Sequence, residues 1–269
     1  MLCVSSIKDQ KVAVQHIIVD ACSSDGTQEY LKKIEDINIM NIIEHDNGMY
    51  EAINKGIRHS NNNIIGHLNC DEQYLPGTLK FIKNVFDRHK EIDIVYGNYF
   101  TINNDGTLNS FKKLIPYRKY YVLSGNLYIA TCALFYRKHI FENGCFFDPQ
   151  YRSCGDKEFI IRLHDLGYKS LHIDRYLSCY TVTGNNLSQL SSHNKDEEER
   201  ILKKYNKMPI NSLWMFQTAK KIEKYLKGAY QSDTKMSYSI YTLNSNKKRV
   251  TFNNQKGTYI TKYDDKVEK

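Results

Sequence analysis

Along the first two-thirds of the chain, short apolar runs alternate with amphipathic stretches. "HIIVD" (16–20), "NIIEHD" (41–46), "NIIGHLN" (63–69) and "IDIVYGNYF" (92–100) read as strands, brief runs rich in β-branched or aromatic residues. Between them "SSDGTQEYLKKIED" (23–36) reads as a loop and helix, and "GMYEAINKGIRHS" (48–60) as a helix. "PGTLKFIKNVFDRHK" (76–90) is a helix with proline in its first turn. Strands alternating with helices of this length predict parallel crossover units and a mostly parallel sheet covered on both faces.

Near residue 100 the pattern changes. "NNDGTL" (103–108) reads as a turn between strands, and "LYIATCALFYRKHIF" (127–141) as an aromatic strand entering a helix. "GDKEFIIRLHDLGY" (155–168) predicts a helix with Phe159, Ile160, Leu163 and Leu166 on one face, and "SLHIDRYLSCYTV" (170–182) a further strand. A charged helix, a basic amphipathic helix and a β-tail with "SYSIYTL" and "RVTFNN" follow. The expected division is a catalytic-type α/β domain over 1–190 and accessory helices with a small β-tail over 191–269.

In such sheets ligands bind beyond the carboxyl ends of the strands. Asp20, Asp46 and the pair Asp71–Glu72 each fall where a predicted strand stops, which sets carboxylates from separate segments on one edge. Adjacent carboxylates suit a hard divalent ion that also binds a diphosphate. Mg²⁺ and Mn²⁺ take one or two oxygen ligands from protein and the rest from phosphate and water. Taken alone, Asp71 and Glu72 serve equally well as caps of the following turn.

Composition narrows this only slightly. The chain has 269 residues, 41% of them hydrophobic, and 38 Lys and Arg against 30 Asp and Glu, so it is basic. That surplus admits nucleotide phosphates, an anionic membrane surface or nucleic acid. The lysines are scattered, and no nucleic-acid partner is expected. The seven cysteines include no CxxC pair, a spacing that fits neither a zinc site nor a disulfide framework. No apolar run approaches the roughly 20 residues that span a bilayer, and no signal peptide opens the chain. The expectation is a cytoplasmic protein, peripheral to the inner face of a membrane. A dinucleotide-binding oxidoreductase would want GxGxxG and a nucleotidyltransferase a glycine-rich basic loop; neither is present.

"HIIVDACSSDGT", "EHDNGMYEAINKGI", "IIGHLNCDEQY" and "GDKEFIIRL" occur in that order. Together they resemble the signatures of family 2 glycosyltransferases, inverting enzymes of the GT-A fold that use nucleotide-diphospho-sugars. The resemblance covers roughly residues 5 to 190. It implies a GT-A-like α/β fold, a UDP-sugar as the leading donor, Mn²⁺ or Mg²⁺ as cofactor, and a glycan or lipid-linked acceptor in surface polysaccharide or glycoconjugate synthesis. Asp20 would contact the donor nucleoside, although Ala21 stands where the family usually has glycine or aspartate. Asp46 would line the donor pocket, and Lys55, on the helix packed beneath it, would reach phosphate. Asp71 and Glu72 resemble the metal-binding acids, and Asp71 would also serve donor binding. Asp156 would be the catalytic base, with Glu158 in support. Tyr128, Tyr151 and Glu158 are candidate acceptor contacts, and "YTVTGNNLSQ" (180–189) would close over the diphosphate.

The family's fold opens with a central strand that touches the donor base. Here 15 residues precede "HIIVD", and "LCVSSIKDQ" reads as the end of the helix that follows that strand. The expectation is therefore a truncated sheet with unpaired neighbours and an opened donor pocket. A non-catalytic descendant that binds sugar, nucleotide or a partner protein stays open as the alternative. In 211–230, Leu213, Phe216, Ile222, Tyr225 and Leu226 gather on one helical side amid Lys220, Lys221, Lys224 and Lys227. Such a helix either lies in an anionic membrane interface or packs on the catalytic domain.

Overall fold

The apolar runs become strands close to where the pattern places them. The computed structural model describes residues 2–184, 192–230 and 235–256. Helix α1 (Leu2–Lys8) leads to β1 (His16–Asp20), α2 (Thr27–Lys32), β2 (Ile39–Ile43) and α3 (Met49–Arg58). Strands β3 (Ile64–Gly66) and β4 (Glu72–Tyr74) follow, then α4 (Thr78–Arg88), β5 (Ile94–Ile102) and β6 (Leu108–Lys112). The chain continues through α5 (Lys119–Leu123), β7 (Leu134–Arg137), α6 (His139–Glu142), α7 (Gly155–Asp165) and β8 (Ser170–Thr181). Helices α8 (Ser192–Tyr205) and α9 (Leu213–Leu226) precede a hairpin of β9 (Met236–Thr242) and β10 (Ser245–Gln255).

The larger sheet has the order β3-β7-β5-β8-β4, with β6 also paired to β5. The fold class is α/β as expected, but the sheet is mixed and not mostly parallel. Only β5 and β8 run parallel in it. Strand β7 runs antiparallel to both β3 and β5, and β4 returns antiparallel along β8 after the 67–71 turn. Strand β5 is buried on both faces, which explains its nearly unbroken apolar sequence. Ile94 and Tyr96 join the cluster of Phe159 and Ile160 from α7, and Val95 faces Ile82 and Phe86 of α4.

Strands β1 and β2 form a separate parallel pair. Among the described residues, β1 pairs only with β2 and β3 only with β7. Residues of β1 and β3 line one cleft of about 1390 Å³, which also reaches α1, α3 and α4.

The C-terminal elements are built into the core. Ile201 and Tyr205 of α8 belong to the same buried cluster as Phe159, and Tyr238 and Ile240 of β9 pack with Phe100 and Phe111. Helix α9 attaches more narrowly. Phe216 stacks on Tyr120 at 4.9 Å, while Ile222, Tyr225 and Leu226 are exposed. The apolar set read from the sequence thus divides between the two sides of the helix.

The hairpin also fixes β4. The Gln73 amide donates to Tyr241 O at 3.0 Å and accepts from the Tyr241 N–H at 2.9 Å, all of it buried. Gln73→Ala leaves a buried backbone donor and acceptor unpaired, so unfolding free energy should fall by about 2 kcal/mol. Chemical denaturation checks this, and a loss below about 0.5 kcal/mol would detach the hairpin from the account.

Candidate active site

The sequence turns the chain at each edge of the cleft with a polar residue. Asp20, the last residue of β1, accepts from the Ser23 N–H at 2.9 Å and the Ser23 hydroxyl at 2.6 Å. Asp46 accepts from the Gly48 N–H at 2.9 Å, just before α3. Asp20, Asp46, Asp71, Glu72 and Asp156 all line the cleft. Carboxylates placed on one edge by the sequence pattern therefore meet in one groove.

Asp71 and Glu72 do not sit at the mouth of the preceding strand. Strand β3 stops at Gly66, and Glu72 is the first residue of β4, paired with Tyr180. The Glu72 carboxylate turns back into the 67–71 turn and accepts from the Asn69 N–H at 2.6 Å. Burial pushes it up to about 8, with the negative charges of Asp71 and Asp156 adding to the effect and the Asn69 bonds opposing it. His67, on the same turn, is driven down to about 4 by desolvation, so it is a neutral ring lying edge-on to Phe147.

Asp156 lies in the first turn of α7, where the helix dipole favours an anion. Its Oδ1 accepts from the Lys157 N–H at 2.8 Å and lies 3.4 Å from the Tyr50 hydroxyl. That hydroxyl in turn accepts from the Asp156 N–H at 3.1 Å. Burial raises the Asp156 carboxyl from 3.8 to about 6, a rise that the Lys157 N–H and the Tyr50 hydroxyl hold back. Gly155 permits the Tyr50 contact, since a Cβ there would fall 2.6 Å from the Tyr50 ring. Asn54 of α3 adds a second tie, exchanging two hydrogen bonds with the backbone of Phe147 at 2.8 and 3.0 Å.

Three residues that the sequence reading passed over complete the site. Tyr50 sits within "GMYEAINKG" and is buried beneath Asp156. Arg152 lines the groove with its guanidinium against Gly48, where a Cβ would fall 2.6 Å from Nη1. Glu197, in the run read as a charged helix, is buried and receives the backbone N–H groups of Arg152, Ser153 and Cys154 at 2.5, 3.0 and 2.8 Å. The signal for Glu197 was its spacing to Ile201 and Tyr205, one helical face with two apolar members.

Other expected contacts are directed elsewhere. The Lys55 ammonium donates to His45 O at 2.7 Å and pairs with Glu44 and Glu51. Tyr128 is buried, its hydroxyl held between Pro116 O and the Arg118 N–H. Tyr151 is buried under the Arg200 guanidinium. Glu158 is fully buried, bonded to Arg162, Lys204 and Tyr205. None of the four lines the groove. A short apolar or aromatic run does not announce which ring faces a cleft. The "YTVTGNNLSQ" stretch lies outside the described residues from position 185 onward.

The donor set fits a divalent cation of the phosphate-binding kind. Among the described residues no three His, Cys, Asp or Glu side chains converge as a protein-only cage. Asp71 offers the one carboxylate that such an ion can take when diphosphate and water supply the rest, while its sequence neighbour Glu72 is buried and bonded to Asn69.

The cleft is thus ringed by carboxylates, with one acid in the first turn of a helix. The family pattern described as "Glycosyl transferase family 2" matches residues 2–152, and the chain belongs to that family. The fold is GT-A-like. Among solved structures, the chain is similar to Staphylococcus aureus TarS 1–349 in complex with UDP-GlcNAc. The TM-score is 0.61 at 16% identity, covering 83% of this chain and 68% of that one. Another structure of S. aureus TarS matches with TM-score 0.55 at 14% identity, over 94% of this chain and 57% of that one. The mannosyltransferase PcManGT of Pyrobaculum calidifontis, in complex with GDP-Man and Mn²⁺, matches with TM-score 0.54 at 13% identity, over 81% of this chain and 64% of that one. No match is found among curated protein sequences.

Gly155→Ala should push Tyr50 off the start of α7. The expected cost is about 1–3 kcal/mol of stability, the usual range for overpacking a tight contact. A Tyr50→Phe background, which keeps the ring and removes its hydroxyl, should show the same loss. Full stability of Gly155→Ala in thermal melts would show that the close approach does not matter.

Proposed function

We propose that the chain transfers a sugar from a nucleotide-diphospho-sugar, a UDP-sugar in the first instance, to a hydroxyl of a glycan or lipid-linked acceptor, with inversion. The observation that carries this reading is the placement of Asp156, its carboxyl raised to about 6, in one groove with Asp20, Asp46 and Asp71. A carboxylate of that basicity is ionised at neutral pH yet able to accept a proton. TarS in complex with UDP-GlcNAc and PcManGT in complex with GDP-Man and Mn²⁺ support a nucleotide-sugar donor.

Asp156 takes the proton of the acceptor hydroxyl while that oxygen bonds to the anomeric carbon from the face opposite the donor diphosphate. The bond from the anomeric carbon to the diphosphate oxygen breaks, and the nucleoside diphosphate leaves with the electron pair. Asp20 meets the nucleoside and Asp46 the donor's inner face. Arg152 faces the departing diphosphate with a fixed positive charge. A divalent ion held by Asp71, with Glu72 beside it, would supply Lewis-acid stabilisation of that diphosphate. Tyr50 and Glu197 hold Asp156 and Arg152 in register and are positioning residues.

The second reading, a non-catalytic binder, draws on one observation: among the described residues, β1 and β2 are not hydrogen-bonded to the larger sheet. Turnover separates the two. Asp156→Asn should lower kcat by about 10² or more while leaving donor affinity nearly unchanged. Wild-type kcat should fall as pH drops through about 6, because protonation removes the base. The stability sign is opposite. A carboxyl raised from 3.8 to about 6 favours the fold below pH 3.8 and loses that contribution as pH rises through 6, so at pH 7 Asp156→Asn should melt no lower than wild type. A mutant with near-normal turnover, or no turnover in wild type with UDP- and GDP-sugars, would remove the catalytic assignment.

A further inference from the structure

The exposed apolar surface of this chain is unevenly distributed. Of the twelve large apolar side chains exposed among the described residues, eight fall between Met208 and Tyr230. Within α9 and its lead-in, Ile210, Trp214, Met215, Ile222, Tyr225 and Leu226 are exposed, Trp214 at 65% and Leu226 at 77%. Spaced at three, four and seven residues, the α9 members form one outward stripe. A monomer rarely leaves so continuous an apolar strip in water without a partner for it.

The helix is fixed with that stripe outward. On its inner side Phe216 stacks on Tyr120, the Lys220 ammonium donates to Tyr121 O at 3.1 Å, and Glu223 holds Arg118 at 2.8 Å. Phe216, Lys220 and Glu223 lie on the opposite face from Trp214, Ile222 and Tyr225, so packing on the fold cannot cover the stripe without breaking these contacts.

Charge selects the occupant. Between 207 and 230 there are five lysines and one acid, Glu223, and that acid is engaged by Arg118. Lys221 is exposed and lies next to Trp214 and Tyr225 around the helix, and Lys207 is exposed in the lead-in, on a chain of formal net charge +8. A second copy meeting this face would press like-charged rims together. An anionic lipid surface complements both features: its headgroups meet the lysines, and its acyl boundary accepts the apolar side chains. We propose that α9 docks the protein on anionic membranes, with Trp214, Met215, Ile222, Tyr225 and Leu226 entering the interface and Lys207 and Lys221 on the headgroups. This goes beyond the sugar-transfer reading and does not rest on it; donor binding is measured without vesicles, so either can fail alone.

Trp214 is the chain's only tryptophan and reports the docking directly. Full-length protein is titrated with vesicles of phosphatidylcholine alone and with phosphatidylglycerol added, following Trp214 emission, quenching by bromine-labelled lipid, and flotation. The expected result is a blue shift, quenching and flotation with anionic vesicles only, weakened by added salt. Changing Lys207 and Lys221 to Gln should weaken partition by about 30-fold. Ile222→Glu with Leu226→Glu should abolish it while the melting temperature stays unchanged, since both side chains are exposed. Equal binding to neutral vesicles, no binding to either, or a Trp214 shift that depends on protein concentration without lipid and accompanies a doubled mass would each overturn the proposal. The last result would assign the stripe to self-association.

Discussion

One buried carboxylate sets the geometry of the groove. Glu197 of α8 receives three consecutive backbone N–H groups in the loop that enters α7, and that helix has no side-chain cap of its own. Charge-assisted bonds of this kind are among the stronger hydrogen bonds in proteins, and these are shielded from water. They fix where α7 begins, and with it Asp156, Ser153 and Arg152. Lys157 and Glu158 extend the same bracing, the first to Glu198 and Gly125 O, the second to Lys204 and Tyr205. A helix that reads in the sequence as an accessory thus holds the start of α7.

The opposite wall is held more loosely. Strands β1 and β2 carry Asp20 and lead to Asp46, yet they pair only with each other among the described residues. Their connection to the rest runs mainly through α3, whose Tyr50 and Asn54 reach the α7 side of the groove, with a Lys8–Asp36 ion pair from α1. The groove therefore joins a braced wall bearing the acid of α7 to a wall tied mainly by one helix. Such an arrangement leaves the Asp20 wall free to adjust more than the Asp156 wall.

Local pattern made most elements legible, because strand and helix periods differ and "HIIVD" or "GDKEFIIRL" can satisfy only one of them. It also set Asp20, Asp46 and Asp71 on one edge, and the family resemblance added Asp156; all four line one groove. What it could not show depended on tertiary contacts. The antiparallel insertion of β7 between β3 and β5 decides sheet direction and leaves no trace in the period of "LFYR". Tyr128 and Tyr151 look like sugar-stacking rings until packing buries them, and Lys55 looks like a phosphate ligand until His45 O and two glutamates engage it. Glu197 is indistinguishable by composition from the acids beside it. Only the face it shares with Ile201 and Tyr205 marks it as buried.

The central claim is that the groove binds a nucleoside diphosphate through a cation held at Asp71. Titration calorimetry of the full chain with UDP and with GDP, each with Mn²⁺ and with chelator, tests it most directly. The account requires binding of at least one nucleotide that tightens with Mn²⁺, and loss of that tightening in Asp71→Ala. Binding equally strong with chelator, or unchanged cation dependence in Asp71→Ala, would contradict it.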